Sequence, residues 1–214
     1  MSATVHPRQS ARKGGVRLTG WWAKAWLRAV EETAYDEREL AAGRALGRGG
    51  AVGGIIVDAG SFAAAVEDGR GMWTVSGTLP VLDTASVAAL VEAVAAVPAR
   101  IAGLLAGDLP HELVEHAEEL GVELLPFGGE LGSVCSCDAW VDPCVHALAV
   151  MTQLGWLLER DPFVLLQLRG VGREDLLARL HAFTPAPALP DSAGIDDLDI
   201  AFDAAVRAAR LLQE

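Results

Sequence analysis

Residues 135–146 read CSCDAWVDPCVH and hold the chain's three cysteines, Cys135, Cys137 and Cys144, together with His146. Thiolates and imidazole are the ligands that Zn²⁺ takes most often in proteins, and three sulfurs with one nitrogen complete a tetrahedral shell. Because four protein ligands leave no coordination position for water, the stretch predicts a structural Zn²⁺ site rather than a catalytic one. Three cysteines are also too few, and too odd in number, for a disulfide scaffold.

The spacing within this stretch predicts its backbone. In an extended chain, residues i and i+2 project to the same side, so Cys135 and Cys137 can face one ion from a strand or a turn. In a helix the same spacing separates two side chains by about 200°. We therefore expect Cys144 and His146 to straddle the start of a helix, with His146 in its first turn. Three thiolates, the ion and a neutral imidazole carry one net negative charge, which suits the positive end of a helix.

Two other interpretations of the cysteines remain. The cluster could be reduced and metal-free, which would make the nearby histidine a coincidence, or Cys135 and Cys137 could form a disulfide, which i, i+2 spacing would strain. Beside the cluster, we expect Trp140 to shield the metal from water. We expect Asp138 and Asp142 to form turns or caps rather than to bind a second ion.

Hydrophobic periodicity on both sides of the stretch predicts an α+β fold. An N-terminal helix, capped by Thr19 and with Trp22 and Trp26 on its core face, precedes a small antiparallel β-sheet and a helical region. The metal site then leads into C-terminal helices. The predicted helices span residues 20–33, 83–97, 99–106, 110–120, 145–160, 162–169 and 173–180, and the predicted strands span 52–58, 61–67, 72–79 and 122–125.

The formal net charge of −12 conceals a gradient along the 214 residues. The first 28 residues carry no acidic side chain and six basic ones, which are Arg8, Arg12, Lys13, Arg17, Lys24 and Arg28. Residues 101–159 contain no Lys or Arg but ten carboxylates, which are Asp108, Glu112, Glu115, Glu118, Glu119, Glu123, Glu130, Asp138, Asp142 and Glu159. DNA attracts proteins mainly through Lys and Arg. If the chain contacts nucleic acid, we therefore expect the contact at its basic N-terminal arm.

The distribution of apolar residues predicts no membrane association. The longest uncharged stretch, residues 143–158, is shorter than the roughly 18–20 residues that a bilayer requires. No apolar run follows the basic N-terminus, as it would in a signal peptide. We therefore expect a soluble, cytoplasmic protein.

The pattern C-x-C-x6-C-x-H, with Trp140 and Pro143 between its two halves, resembles the SWIM zinc finger of bacterial proteins. The run GWW at residues 20–22 and the segment DPF…LRG at residues 161–170 are similar to the flanking segments of that family, so that the resemblance covers residues 18–182. It implies a zinc-stabilised module for DNA or protein interaction, in bacteria often associated with Swi/Snf-type helicase-like ATPases. Val145 stands where members commonly have a basic residue and Asp138 where proline is frequent, which favours a protein partner over DNA.

The resemblance and the composition together predict four segments. These are a basic disordered arm at residues 1–17, a SWIM-family domain at 18–182 with its zinc finger at 133–160, a Pro-rich linker at 183–194 and a C-terminal helix at 195–214. The linker contains the run TPAPALPDSAG.

The function predicted from the residues and the resemblance is that of a zinc-stabilised, non-enzymatic interaction protein, an accessory partner of a Swi/Snf-type helicase-like ATPase. The alternative is a nucleic-acid-binding module that contacts DNA through the basic N-terminal arm. With the cysteines assigned as metal ligands, no Ser/His/Asp or Cys/His nucleophile arrangement remains. The sequence therefore predicts no catalytic residue.

Overall fold

A computed structural model describes residues 3–14 and 16–183. The helices are α1 (Trp21–Thr33), α2 (Glu37–Arg48), α3 (Thr84–Ala95), α4 (Pro98–Leu105), α5 (His111–Glu119), α6 (Val145–Arg160), α7 (Phe163–Leu168) and α8 (Arg173–Ala182). The strands are β1 (Thr4–His6), β2 (Val52–Asp58), β3 (Ser61–Asp68), β4 (Gly71–Thr78) and β5 (Gly132–Cys135).

These elements confirm the α+β class. The predicted C-terminal helix at 195–214 lies outside the described residues, as does the linker from residue 184 onward. Among the described residues no single helix has the length and apolarity needed to cross a bilayer, and α3 and α4 meet that measure only when taken together, across a bend of 101°.

The strands form one antiparallel sheet in the order β1-β2-β3-β4-β5, so that each strand pairs with its neighbours in sequence. The β2–β3 hairpin turns at Gly60, whose φ of 71° is a left-handed conformation that glycine adopts without strain. The β3–β4 hairpin turns directly after Asp68. The predicted three-strand meander is confirmed, and β1 and β5 extend it at its two edges.

Helix α6 lies at the centre of the core, with every residue from 146 to 158 buried. Helices α1 and α2 and the sheet pack against it. Both tryptophans predicted for the core hydrogen-bond to its backbone: Trp22 Nε1 donates to the Leu158 carbonyl over 2.8 Å, and Trp26 Nε1 donates to the Met151 carbonyl over 2.9 Å. Because a buried indole N–H needs an acceptor, these bonds fix the position of α1 along α6.

Helix α2 was not among the predicted elements, because its glycines read as breaks. The structure shows that Gly43 and Gly47 face α6 at close approach. A Cβ atom at Gly43 would lie 2.5 Å from Leu148 Cβ, and one at Gly47 would lie 3.2 Å from the Ala149 carbonyl oxygen. The signal for the helix was Asp36, whose side chain caps its N-terminus by accepting hydrogen bonds from the second and third backbone N–H groups.

The N-terminal segment differs from the disordered arm predicted for residues 1–17. Residues 4–6 form β1 and pair with β2. The Arg8 guanidinium donates to the Gly50 carbonyl, through Nε over 3.0 Å and through the other nitrogen over 2.6 Å. The backbone N–H of Arg12 donates to the Arg48 carbonyl over 2.9 Å. Backbone pairing, which composition does not reveal, therefore orders the basic segment along the sheet and the end of α2.

The strand predicted at residues 122–125 is wrong. Val122 and Leu124 are buried, but the segment pairs with no strand of the described sheet. The buried guanidinium of Arg169 binds the carbonyls of Leu124 and Leu125 instead, over 3.0 and 3.3 Å. The same guanidinium forms an ion pair with Glu130 at 2.9 Å. An arginine distant in sequence thus provides the hydrogen bonds that a strand neighbour would have provided.

The start of α1 is also capped differently from the prediction. Thr19 does not cap the helix with its own side chain, since Gly20 occupies the cap position. The Glu159 carboxylate of α6 accepts hydrogen bonds from the backbone N–H and hydroxyl of Thr19, each over 2.7 Å, and from the Gly20 N–H over 3.0 Å. A negative charge at a helix N-terminus is favourable, so Glu159 joins the two central helices.

Candidate metal centre

The four predicted ligands come from two elements that meet at one edge of the sheet. Cys135 ends β5, and Cys137 follows it in a bend. Cys144 is the N-cap residue of α6, and His146 lies in the first turn of that helix. The structure confirms the predicted arrangement, in which one ligand pair lies on a strand and its following bend and the other straddles a helix start.

The ligand atoms form a tight cluster. One donor atom from each of the four residues lies within 4.8 Å of all the others. Cys137 Sγ is 3.5 Å from Cys144 Sγ, and His146 Nδ1 is 3.8 Å from Cys135 Sγ and 3.9 Å from Cys144 Sγ. A tetrahedral ion with bonds of about 2.3 Å to sulfur and about 2.0 Å to nitrogen separates its ligand atoms by roughly 3.5–3.8 Å. The donor set and its spacing therefore fit Zn²⁺.

The second nitrogen of His146 is held from outside the cluster. His146 Nε2 lies 3.1 Å from Asp68 Oδ2, at the end of β3. The other oxygen of Asp68 accepts hydrogen bonds from the backbone N–H groups of Arg70 and Gly71, over 2.8 and 3.1 Å, and from Trp73 Nε1 over 3.1 Å. A carboxylate in this position fixes the histidine tautomer and leaves Nδ1 free to bind metal.

Neither Asp68 nor Trp73 is among the site residues predicted from the sequence, although Asp68 precedes a glycine between two predicted strands. Hydrogen bonds from the backbone of Arg70, then from His146 and Trp73, hold the pKa of the Asp68 carboxyl well below its usual range. Asp68 is therefore an ionised acceptor. Its contact with His146 could not be predicted because Asp68 is far from the metal ligands in sequence, 78 residues before His146.

Trp140 does not shield the cluster, so that part of the prediction is wrong. Its side chain is 82% exposed and contacts Tyr35 edge to face, with ring centroids 5.2 Å apart. The ring that stacks on His146 belongs to Trp73, at a centroid distance of 5.6 Å and an interplanar angle of 30°. Trp73 lies on β4, so the sheet covers His146. Trp140 lies in the loop between Cys137 and Cys144, which we call the finger loop, and its ring faces solvent.

The thiols differ in acidity because their surroundings differ. Burial raises the pKa of Cys135 to about 12 and also raises that of Cys144. Burial acts in the same direction on Cys137, but hydrogen bonds from the backbone N–H of Ala139, from His146 and from the neighbouring thiols outweigh it and lower the pKa of Cys137 to about 7. Since Zn²⁺ binds thiolates, binding of the metal must release the protons of the Cys135 and Cys144 thiols.

The loop between the two ligand pairs is tied to the strand. Ser133 Oγ donates to Asp142 Oδ1 over 2.8 Å. This bond accounts for Asp142 as a loop-forming residue, in agreement with the predicted preference for a turn over a second metal site. Within residues 3–14 and 16–183, the structure gathers His, Cys, Asp and Glu donors for a metal only at the four predicted ligands.

Comparison with known proteins places this geometry in a family. The SWIM zinc finger model matches residues 120–155, which include all four predicted ligands. The chain is 30% identical over 203 residues to uncharacterized protein Rv2102 of Mycobacterium tuberculosis, a match that covers 89% of this chain and 73% of that protein. No solved structure matches the chain significantly.

Proposed function

This chain belongs to the SWIM zinc-finger family, and from that premise we propose that it is a non-enzymatic protein-interaction module whose fold Zn²⁺ stabilises. We infer that its partner is a Swi/Snf-type helicase-like ATPase, the partner class that the family resemblance implies. The finger would act by holding an interaction surface in shape and not by chemistry at the metal.

The observation that carries this proposal is the closed donor set. Three sulfurs and His146 Nδ1 surround one point, with all donor atoms within 4.8 Å of one another. A catalytic Zn²⁺ keeps a position open for water or substrate, whereas a structural Zn²⁺ is bound by four protein ligands. Bound at this site, the ion would join the end of β5 to the first turn of α6, and its removal would free both.

The surface of the finger supports a protein partner. Trp140, Tyr35 and Val134 expose 82%, 62% and 72% of their areas. Exposed aromatic and aliphatic groups are typical of protein–protein interfaces, where aromatic residues contribute most of the binding energy. Asp138 and Asp142, which are exposed in the same loop as Trp140, repel phosphate.

The nucleic-acid alternative rests on the basic N-terminal segment, and the contacts of that segment weaken it. The Arg8 guanidinium is bound to the Gly50 carbonyl, and the Arg12 guanidinium lies 5.7 Å from the centre of the Trp156 ring. A phosphate would have to compete with these contacts. If DNA were nevertheless the partner, its affinity would fall steeply with salt and would vanish on deletion of residues 1–17.

The test is reconstitution of the zinc-loaded chain with the helicase-like ATPase of the same cell, followed by size-exclusion chromatography. We expect co-elution that is lost after chelation of the metal. Trp140→Ala should weaken the complex, and Val5→Ala, which removes an exposed side chain from the opposite edge of the sheet, should not. Failure of the zinc-loaded proteins to associate at micromolar concentrations would contradict the proposed partner. A zinc-dependent hydrolytic activity would contradict the non-enzymatic role.

A further inference from the structure

We propose that the open edge of β5 binds an extended, basic segment of a partner protein, which joins the sheet as an additional strand. This inference rests on the proposed interaction function. It adds the surface that makes the contact and the chemistry of the segment that the surface takes.

The backbone of β5 offers unpaired groups at this edge. In the described part of the chain β5 is the last strand of the sheet, and Val134 pairs with Ser76 of β4. Just beyond β5, the Ser136 N–H donates to the Thr74 carbonyl over 3.0 Å. Hydrogen-bonded pairs alternate along an antiparallel ladder, so the backbone N–H and C=O groups of residues 133 and 135 point away from β4. An extended chain can pair with such groups.

A cleft runs beside these groups. It has a volume of about 210 Å³ and adjoins the metal centre: Cys135, Cys137 and Cys144 line one part of it, and Ser133, Val134, Ala139, Val141 and Asp142 line the rest. We call it the finger cleft. The hydrogen bond between Ser133 and Asp142 holds the loop beside the strand. Ala139 and Val141 add two small aliphatic side chains to this lining, against which an apolar side chain of an added strand can pack.

The charge around the finger cleft selects a basic segment. Asp138 and Asp142 are exposed in the loop, and residues 101–159 contain no Lys or Arg. Complementary charge speeds encounter and excludes partners of the wrong sign. The other sheet edge, β1, ends two residues before Arg8 and does not favour the same segment. Charge thus distinguishes the two edges.

Peptide display on the zinc-loaded full chain tests the inference. The probe is an mRNA-displayed library of random twelve-residue peptides. We expect enrichment of peptides that are rich in Lys or Arg, alternate apolar and polar residues and lack proline at their centres. In ¹⁵N-HSQC spectra the best synthetic peptide should shift the amides of Ser133, Val134 and Cys135. Failure to enrich any peptide, enrichment of acidic peptides, or shifts elsewhere in the chain would overturn the proposal.

Two variants of one residue separate backbone pairing from side-chain effects. Ser133→Pro removes the N–H that points to the open edge, whereas Ser133→Ala keeps it, and both lose the bond to Asp142. Ser133→Pro should lower peptide affinity at least about fivefold relative to Ser133→Ala, the cost of a lost hydrogen bond. Equal affinities would overturn the pairing. The HSQC spectrum of each free variant shows whether its fold is intact. N-methylation of alternate peptide amides tests the backbone pairing from the side of the peptide, without any protein variant.

Charge and function are tested separately. The double variant Asp138→Asn with Asp142→Asn should weaken the peptide roughly tenfold at low salt and less at high salt. An unchanged affinity would overturn the basic character of the segment. If the ATPase complex survives Ser133→Pro, the β5 edge is not the contact, but the interaction function stands. If no complex forms with the unchanged chain, the proposed partner itself fails.

Discussion

His146 Nε2 lies 3.1 Å from Asp68 Oδ2, and this contact links the zinc finger to the hairpin between β3 and β4. The two residues are 78 positions apart in the chain. Trp73 of the same hairpin donates to Asp68 and stacks on the His146 ring. The sheet therefore orients the ring of the histidine, and the finger is part of the domain rather than an appendage to it.

The first prediction concerns this carboxylate. Asp68→Asn preserves an oxygen for the turn but places an amide NH₂ or a neutral oxygen against the Nε2–H of His146. We expect zinc affinity to fall about 10–100-fold, as on loss of a carboxylate behind a metal-bound histidine. Competition for Zn²⁺ with a chromophoric chelator measures this affinity. Glu67→Gln, at an exposed neighbouring position, is the control. Equal affinities for Asp68→Asn and the unchanged chain would show that the contact does not orient the ligand.

The second prediction concerns removal of the metal. Chelation should increase hydrogen exchange first in β5 and in the first turn of α6, because the ion joins these two ends. The part of α6 from Met151 onward should stay protected, since Trp26 and Trp22 bind the carbonyls of Met151 and Leu158. Cys144→Ser should reproduce the pattern, and added Zn²⁺ should restore protection in the unchanged chain but not in the variant. Uniform loss of protection along the whole chain would contradict this division of the helix.

The sequence predicted local features well and distant partners poorly. The i, i+2 spacing of the ligands was enough to place Cys135 on a strand and His146 in a helix turn, because both consequences are local. Asp68 and the Arg169 guanidinium act on segments tens of residues away, and no local pattern announces such contacts. Gly43 was misleading because glycine signals a break from sequence alone, whereas here it lets two helices approach closely.

The third prediction is a pH dependence at Glu159. Burial opposes its ionisation, but hydrogen bonds from Thr19 and Gly20 and the charge of Lys24 outweigh burial and lower the pKa of Glu159. A carboxyl with a lowered folded-state pKa stabilises the fold above its unfolded pKa of about 4.3, and that contribution is lost as pH falls through the folded pKa.

We therefore expect Glu159→Gln to lower the free energy of unfolding by about 1 kcal/mol at pH 7, the usual value of a helix cap. The difference from the unchanged chain should shrink towards pH 3. Calorimetric melting at both pH values measures it, with the exposed Glu123→Gln as the control. A difference that is constant with pH would show that the carboxylate charge does not stabilise α1.

The fourth prediction concerns the contact between α2 and α6. Alanine favours a helix over glycine by about 1 kcal/mol, yet at Gly43 its methyl group would lie 2.5 Å from Leu148 Cβ. We expect Gly43→Ala to destabilise the fold by about 1–3 kcal/mol through overpacking. Gly69→Ala, where the added methyl meets nothing within 4 Å, is the control and should change stability by less than about 0.5 kcal/mol. A Gly43→Ala variant as stable as the unchanged chain would show that the helices can separate freely.

The closed shell of three sulfurs and one nitrogen is the claim on which the interaction role depends. X-ray absorption at the zinc edge, on gently purified protein with its metal content determined, tests it most directly. We expect one zinc per chain with three sulfur neighbours at about 2.3 Å and one nitrogen at about 2.0 Å. Protein that contains no zinc, or a spectrum that shows fewer sulfurs with a water oxygen in their place, would contradict the account.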